Sequence, residues 1–145
     1  MNVLEVMTRA PACATSDMSL QEAARMMVDN NCGCIPVIDE TGMPTGVITD
    51  RDIVCRTVAH GENPLDMTVA DAMTHDCITV KPDDSLERCC EVLEKNQIRR
   101  AVVVDDNRRV IGIVAQADLA RRSEILGGEL ISAISAPSIG PSAVH

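Results

Sequence analysis

The chain has 145 residues and a formal net charge of −9, with 46% hydrophobic and 24% charged residues and no Phe, Tyr or Trp. That length suits one compact domain or two small lobes, and any core must be built from Val, Ile, Leu, Met, Ala and Cys. Missing rings weigh against single-stranded nucleic-acid readers, which stack bases on aromatics. The acidic balance weighs against binding a polyphosphate backbone, though not against one small anion held by a local Arg cluster.

No apolar run approaches the ~18 residues that cross a membrane. Met1-Asn2-Val3-Leu4-Glu5 has no basic region leading into an apolar stretch, so no signal peptide is expected. The seven Cys form no evident framework and read as reduced thiols of a cytoplasmic protein.

The first expected element is a helical turn over residues 2–7, capped by Asn2 with Glu5 three residues on. A short extended stretch follows at 12–15. Next comes an amphipathic helix with Leu20, Ala23, Ala24 and Met27 on one face, opened by Ser19 and Glu22 as a capping box. Ile35-Pro36-Val37-Ile38 reads as a buried strand with Pro36 at its edge or start. After a polar turn at 39–42, a second strand ends in Gly46-Val47-Ile48-Thr49, and a helix begins near Arg51.

A linker at 61–67 separates this series from a second one. From Thr68 the order repeats: a capped turn to Met73, an extended stretch at 78–80, and a helix with Leu86, Cys89, Cys90 and Leu93 on one face. The strand Ala101-Val102-Val103-Val104, a strand ending Gly112-Ile113-Val114-Ala115, and a helix near Ala117 complete it. Sliding the chain against itself by 66 residues, Val3 onto Val69, leaves eleven identities in one ungapped register. Among them are Met7/Met73, Thr8/Thr74, Gly46/Gly112 and Asp52/Asp118. Each copy is therefore β-α-β-β-α, an α/β (α+β) arrangement with strands covered by helices. A pair of copies is expected to close with pseudo-two-fold symmetry. The boundaries are 1–60 for the first copy, 68–122 for the second, and 123–145 for a short helix and a frayed tail.

The sharpest local signal is Gly46-Val47-Ile48-Thr49-Asp50-Arg51-Asp52. A strand here delivers a hydroxyl and then a carboxylate to the first turn of a helix. Asp52 can accept from two neighbouring ribose hydroxyls, while Thr49 and Arg51 can reach phosphate, as can free backbone N–H groups. Thr49-x-x-Asp52 is equally a plain capping box. The second copy, Ala115-Gln116-Ala117-Asp118, lacks the capping hydroxyl but has the carboxylate, which argues for a role beyond the cap, although acids are favoured in a first helical turn anyway.

Met-Thr, Ile-Pro-Val-Ile-Asp and Gly-Val-Ile-Thr-Asp-Arg-Asp, repeated over residues 3–122, resemble the CBS domain family, and small stand-alone bacterial CBS pairs (Bateman modules) most of all. The resemblance implies two facing repeats with two clefts that take AMP, ADP or ATP, or else S-adenosylmethionine or NAD. It implies a homodimer and an unidentified regulated partner; no enzyme is expected, because the residues offer no acid–base constellation. Asp52 and Asp118 match the family's ribose-binding acid, and Thr49 its phosphate-side hydroxyl; Ala115 departs from that pattern. The adenine side would be lined by Thr8, Ala12, Cys32, Gly33 and Cys34 and by Thr74, Ile78, Ile98, Arg99 and Arg100, with Val47 and Ile113 on the strands. One repeat's segment would face the other repeat's Asp. Arg99-Arg100 reads as a phosphate-holding pair or as a solvated surface pair.

Cys32-Gly33-Cys34 has too few ligands for a closed zinc site and reads as small residues lining a cleft. His60, His75 and His145 support no nucleophile–base arrangement. A regulatory adenosine-ligand sensor is the leading expectation, with a ligand-free dimerisation scaffold and a thiol or metal sensor as its rivals.

Overall fold

The computed structural model describes residues 1–126; residues 127–145 of the expected short helix and frayed tail lie outside them, and 123–126 continue the helix that begins near Ala117. Eleven regular elements run in chain order: β1 (Thr8–Arg9), α1 (Leu20–Asp29), β2 (Cys34–Ile38), β3 (Pro44–Thr49), α2 (Asp50–Arg56), α3 (Val69–Ala72), β4 (Thr79–Val80), α4 (Leu86–Asn96), β5 (Arg100–Val104), β6 (Val110–Ala115) and α5 (Gln116–Leu126). Short 3-10 turns stand at Val3–Glu5, Val58–His60 and Pro64–Asp66. The last two lie around the expected linker, where the sequence suggested no regular structure. No helix among the described residues is long and apolar enough to cross a membrane.

Two compact units emerge, and their borders do not follow the repeat. One, the Asp52 unit, comprises Pro11–Cys77 with Arg108–Val110. The other, the Asp118 unit, takes, among the described residues, Met1–Ala10, Ile78–Asn107 and 111–126. Each unit thus contains the opening segment of the other repeat. Val3 and Val69 occupy the same place in the two sequence copies, yet Val3 packs with Leu86, Val103 and Leu119, whereas Val69 packs with Leu20, Ile35 and Ile48.

In the Asp118 unit a four-stranded sheet has the order β1-β6-β5-β4. β1 is antiparallel to β6, with Thr8 opposite Ile113, and β4 is parallel to β5, with Val80 opposite Val103. α4 turns Leu86, Cys89, Cys90 and Leu93 inward, as their spacing predicts. Ser85 opens the helix by accepting the Arg88 N–H at 3.0 Å.

In the Asp52 unit β2 and β3 pair antiparallel, Cys34 opposite Thr49. The flanking strands shrink to single bridges, Val47 with Thr74 and Ala14 with Val37. Pro36 explains one of these losses. Its counterpart Val102 donates to the Ile78 carbonyl at 3.1 Å, a bond that proline, without an N–H, cannot make. Pro36 keeps only its acceptor role, taking the Ala14 N–H at 2.9 Å. In α1, Leu20, Ala23 and Met27 are buried and Ala24 partly so. Ser19 accepts the Glu22 N–H at 3.1 Å; among the described residues the reciprocal bond from the Ser19 N–H to the Glu22 carboxylate is absent, so the expected box is half formed.

Two glycines permit the segment exchange. A Cβ on Gly46 would lie 2.2 Å from the Thr74 carbonyl oxygen. One on Gly112 would lie 3.0 Å from the Thr8 oxygen and 2.5 Å from Met7 Sδ. Only hydrogen at these positions lets the borrowed backbone approach the sheet.

Candidate functional site

The turn from β3 into α2 builds the most polar buried point of the Asp52 unit. Thr49 ends the strand at φ −117° and ψ 161°, and Asp52 completes the first helical turn. They exchange bonds in both directions: the Thr49 N–H donates to Asp52 Oδ2 at 3.0 Å, and the Asp52 N–H donates to Thr49 Oγ1 at 3.0 Å. This is the capping box, formed in full. Both residues are buried, Thr49 at 5% and Asp52 at 2% exposure.

More than a cap converges on Asp52. The Thr74 hydroxyl donates toward Oδ1 at 3.3 Å and Oδ2 at 3.4 Å. Arg56, one turn further along α2, brings Nη2 to 3.8 Å from Oδ1, while its Nη1 donates to the Ala72 and Met73 carbonyls at 3.1 and 2.5 Å. The buried carboxylate therefore faces a cation and two kinds of donor, which offsets the cost of holding a charge away from water.

The remaining expected site residues divide between the units. Val47, Thr74, Ala12, Cys32, Gly33 and Cys34 belong with Thr49, Arg51 and Asp52; Thr8, Ile78, Ile98, Arg99, Arg100 and Ile113 belong with Asp118. Thr74 and Thr8 have thus changed places relative to their repeats. Thr74 is held by paired backbone bonds to Val47, at 2.9 and 3.0 Å. Gly33 lies beside the first residue of α2: its carbonyl accepts the Asp50 N–H at 3.0 Å, and a Cβ there would lie 2.8 Å from Asp50 Oδ2. Arg51, Arg99 and Arg100 are exposed, and among the described residues their side chains enter no ion pair.

Asp118 repeats only part of the design. The Ala115 N–H donates to its Oδ2 at 2.9 Å, which is half of the box. Its Oδ1 pairs with the Arg121 guanidinium at the surface. Gln116 donates its N–H to the Arg99 carbonyl at 2.7 Å, the counterpart of the Asp50–Gly33 bond. Asp118 is half-buried, so its carboxylate is wetter than that of Asp52.

Four of the thiols are held in the protonated, unreactive form by burial. Burial pushes Cys77 up to about 11 and raises Cys13. Burial, helped by neighbouring negative charge, pushes Cys89 up to about 12 and Cys90 to about 11. Cys34 is buried and Cys32 exposed. Cys32 and Gly33 line an open groove of about 700 Å³ with Asp50, Ile53 and Val54, a groove that does not include Asp52. Among the described residues no three His, Cys, Asp or Glu cluster as a metal site would require.

The sequence reading missed Arg56. Its only trace in the sequence is the i, i+4 spacing from Asp52 on a helix. Its carbonyl partners lie 16 and 17 residues away.

Comparison with known proteins assigns this architecture. The CBS domain profile matches residues 3–56 and again 69–124. The chain belongs to the CBS domain family. This CBS pair is 38% identical over 119 residues to the CBS domain-containing protein YhcV of Bacillus subtilis, covering 82% of this chain and 83% of that one. It is 32% identical over 127 residues to the L-aspartate semialdehyde sulfurtransferase of Methanocaldococcus jannaschii, covering 88% of this chain but only 23% of the enzyme. Among solved structures, the CBS domain pair of protein MJ0100 in complex with 5′-methylthioadenosine and S-adenosyl-L-methionine superposes with a TM-score of 0.78 at 30% identity, covering 87% of this chain and 98% of that one.

Proposed function

We propose that this CBS pair is a regulatory module that binds an adenosine-containing ligand and signals the binding to a protein partner, without catalysis of its own. AMP, ADP and ATP are the leading ligands, with S-adenosylmethionine and NAD as further members of the class. The observation that carries the reading is Asp52: a buried carboxylate that already accepts an alcohol hydroxyl, that of Thr74. A ribose hydroxyl is the same kind of donor, and the Thr74 bonds are long for O–H···O. A ribose can therefore replace one hydroxyl by another on Asp52 without stranding the charge. The adenosine compounds held by the MJ0100 pair support the ligand class.

Signalling is a population shift: a ligand that prefers one arrangement of the module raises the fraction of it that a partner reads. Self-association into a homodimer fits such a role, and light scattering at tens of micromolar protein measures it.

A ligand-free scaffold is the competing reading, favoured by the engagement of Asp52 with Thr49, Thr74 and Arg56. One test separates them. The chain has no Trp or Tyr, so a 260 nm band in nucleic-acid-free protein reports bound adenine directly. Calorimetric titration with AMP, ADP, ATP and S-adenosylmethionine follows. Saturable binding of any of them supports the sensor; no band and no heat from all four supports the scaffold.

A further inference from the structure

We propose that Arg56 is the positioning residue that couples the Asp52 site to the first segment of the second repeat, residues 68–74. The inference rests on the reading of Asp52 as a ribose acceptor for its ligand arm, and on geometry alone for the rest.

α3 is four residues long and ends at Ala72. A helix end leaves carbonyls without partners, and a cation there is favourable. Arg56 fills that role from another element: Nη1 donates to the Ala72 and Met73 carbonyls while Nη2 stands 3.8 Å from Asp52 Oδ1. The next residue, Thr74, is tied twice more, by its hydroxyl to Asp52 and by its backbone to Val47. One carboxylate and one guanidinium thus hold the same short segment at adjacent points. When a ribose hydroxyl takes the place of the Thr74 hydroxyl on Asp52, the segment loses one tie. Asp52 keeps its charge, but its oxygens turn toward the incoming hydroxyl, and the aim that it gives Arg56, whose Nη2 stands 3.8 Å from Oδ1, toward the α3 carbonyls is lost in the same event.

The Asp118 unit lacks this clamp. Arg122 holds the position of Arg56, 66 residues on. Its Nε approaches Met1 Sδ at 2.8 Å, and Asp118 pairs with Arg121 instead. Among the described residues Arg122 donates to neither Val6 nor Met7, the counterparts of Ala72 and Met73. The coupling is therefore a property of one repeat.

Hydrogen exchange on the full chain tests it, reading the Val47 and Thr74 amides, which make the paired backbone bonds. Without ligand, Asp52→Asn and Arg56→Gln should each speed exchange there by about threefold or more. The double variant should be no faster than the faster single one; Arg56→Lys, which keeps the charge but not the fork, should fall between wild type and Arg56→Gln. Multiplicative effects of the two single changes, or a wild-type rate in Arg56→Gln, would overturn the proposal. With each protein saturated by AMP, wild-type exchange should rise by about threefold or more while Arg56→Gln shows no further rise. A wild-type response in Arg56→Gln also overturns it. If AMP binds to no form of the protein, the ligand reading fails and the ligand-free cycle still decides the coupling.

Discussion

The Thr74 hydroxyl lies 3.3 Å from Asp52 Oδ1, although the two residues open and close different repeats of the sequence. A side chain of the second copy thereby becomes part of the first copy's polar centre. Thr8, its counterpart, is exposed and makes no such bond to Asp118 among the described residues. Thr74→Val should therefore cost about 0.5–1.5 kcal/mol, the net worth of one hydrogen bond, while Thr8→Val stays within about 0.5 kcal/mol. Urea unfolding followed by circular dichroism measures both, and equal costs would contradict the assignment.

Ribose, and not adenine alone, should decide affinity. A hydrogen bond to a charged group contributes roughly 1.5–3 kcal/mol, so AMP should bind about tenfold to a hundredfold more tightly than 2′-deoxy-AMP. Calorimetry reads the ratio. Asp52→Asn should bring the two nucleotides close together; equal affinity in the wild-type protein would remove Asp52 from the ribose.

The two carboxylates should not bind alike. Asp52 is buried and bonded to the Thr49 hydroxyl, with Arg51 next to it in sequence, while Asp118 is wetter, is paired with Arg121 and has Ala115 and Ala117 at the matching places. Charge-assisted contacts to phosphate are the stronger ones, so the tighter AMP event should vanish in Asp52→Ala and survive in Asp118→Ala. Titration of the two variants decides, and the reverse outcome inverts the assignment.

Gly46 should tolerate a methyl less well than Gly112. At Gly46 the obstruction is a backbone carbonyl at 2.2 Å; at Gly112 the nearest atom is the flexible Met7 Sδ, with the Thr8 oxygen further off at 3.0 Å. Overpacking costs typically about 1–3 kcal/mol. Gly46→Ala should lie at or beyond the top of that range and Gly112→Ala near the bottom. A melting temperature lowered equally by both would refute the difference.

Alkaline pH should unfold the protein through its thiols. Cys77, Cys89 and Cys90 hold their protons in the folded state up to about 11, 12 and 11, against an ordinary value of 9.0. Between these limits the unfolded chain binds fewer protons, so stability falls as pH rises. It is fully present below about pH 9 and declines above it. Urea midpoints at about pH 8 and about pH 10 measure the loss, and Cys89→Ala should shrink the difference between them.

Local features were the readable ones. The faces of α1 and α4 follow from their spacing, and the Thr49–Asp52 and Thr68–Asp71 boxes from residues three apart. The 66-residue register revealed two copies but could not say whose edge each opening segment completes. Thr8 beside Ile113 and Thr74 beside Val47 are pairings over distances to which periodicity is blind. Arg56 escaped for the same reason, since an exposed helix-end arginine reads as a solvated charge until its carbonyl partners are seen. Pro36 suggested a strand edge, and the lost N–H is indeed why its neighbour pairs through one bridge instead of a ladder.

The traded opening segments make the halves indivisible. Cutting the chain at the linker gives one fragment whose Val3 has lost the core it fills, and whose sheet has lost the Thr74 bridge beside Gly46. The other fragment keeps Val69 but not Leu20 and Ile35, against which Val69 is buried. A lone copy can regain closure only by taking the missing strip from a second molecule. Duplication here is not redundancy: each copy carries the other's keystone, so a lesion in residues 1–10 strikes the Asp118 unit, and one in residues 68–77 strikes the Asp52 unit.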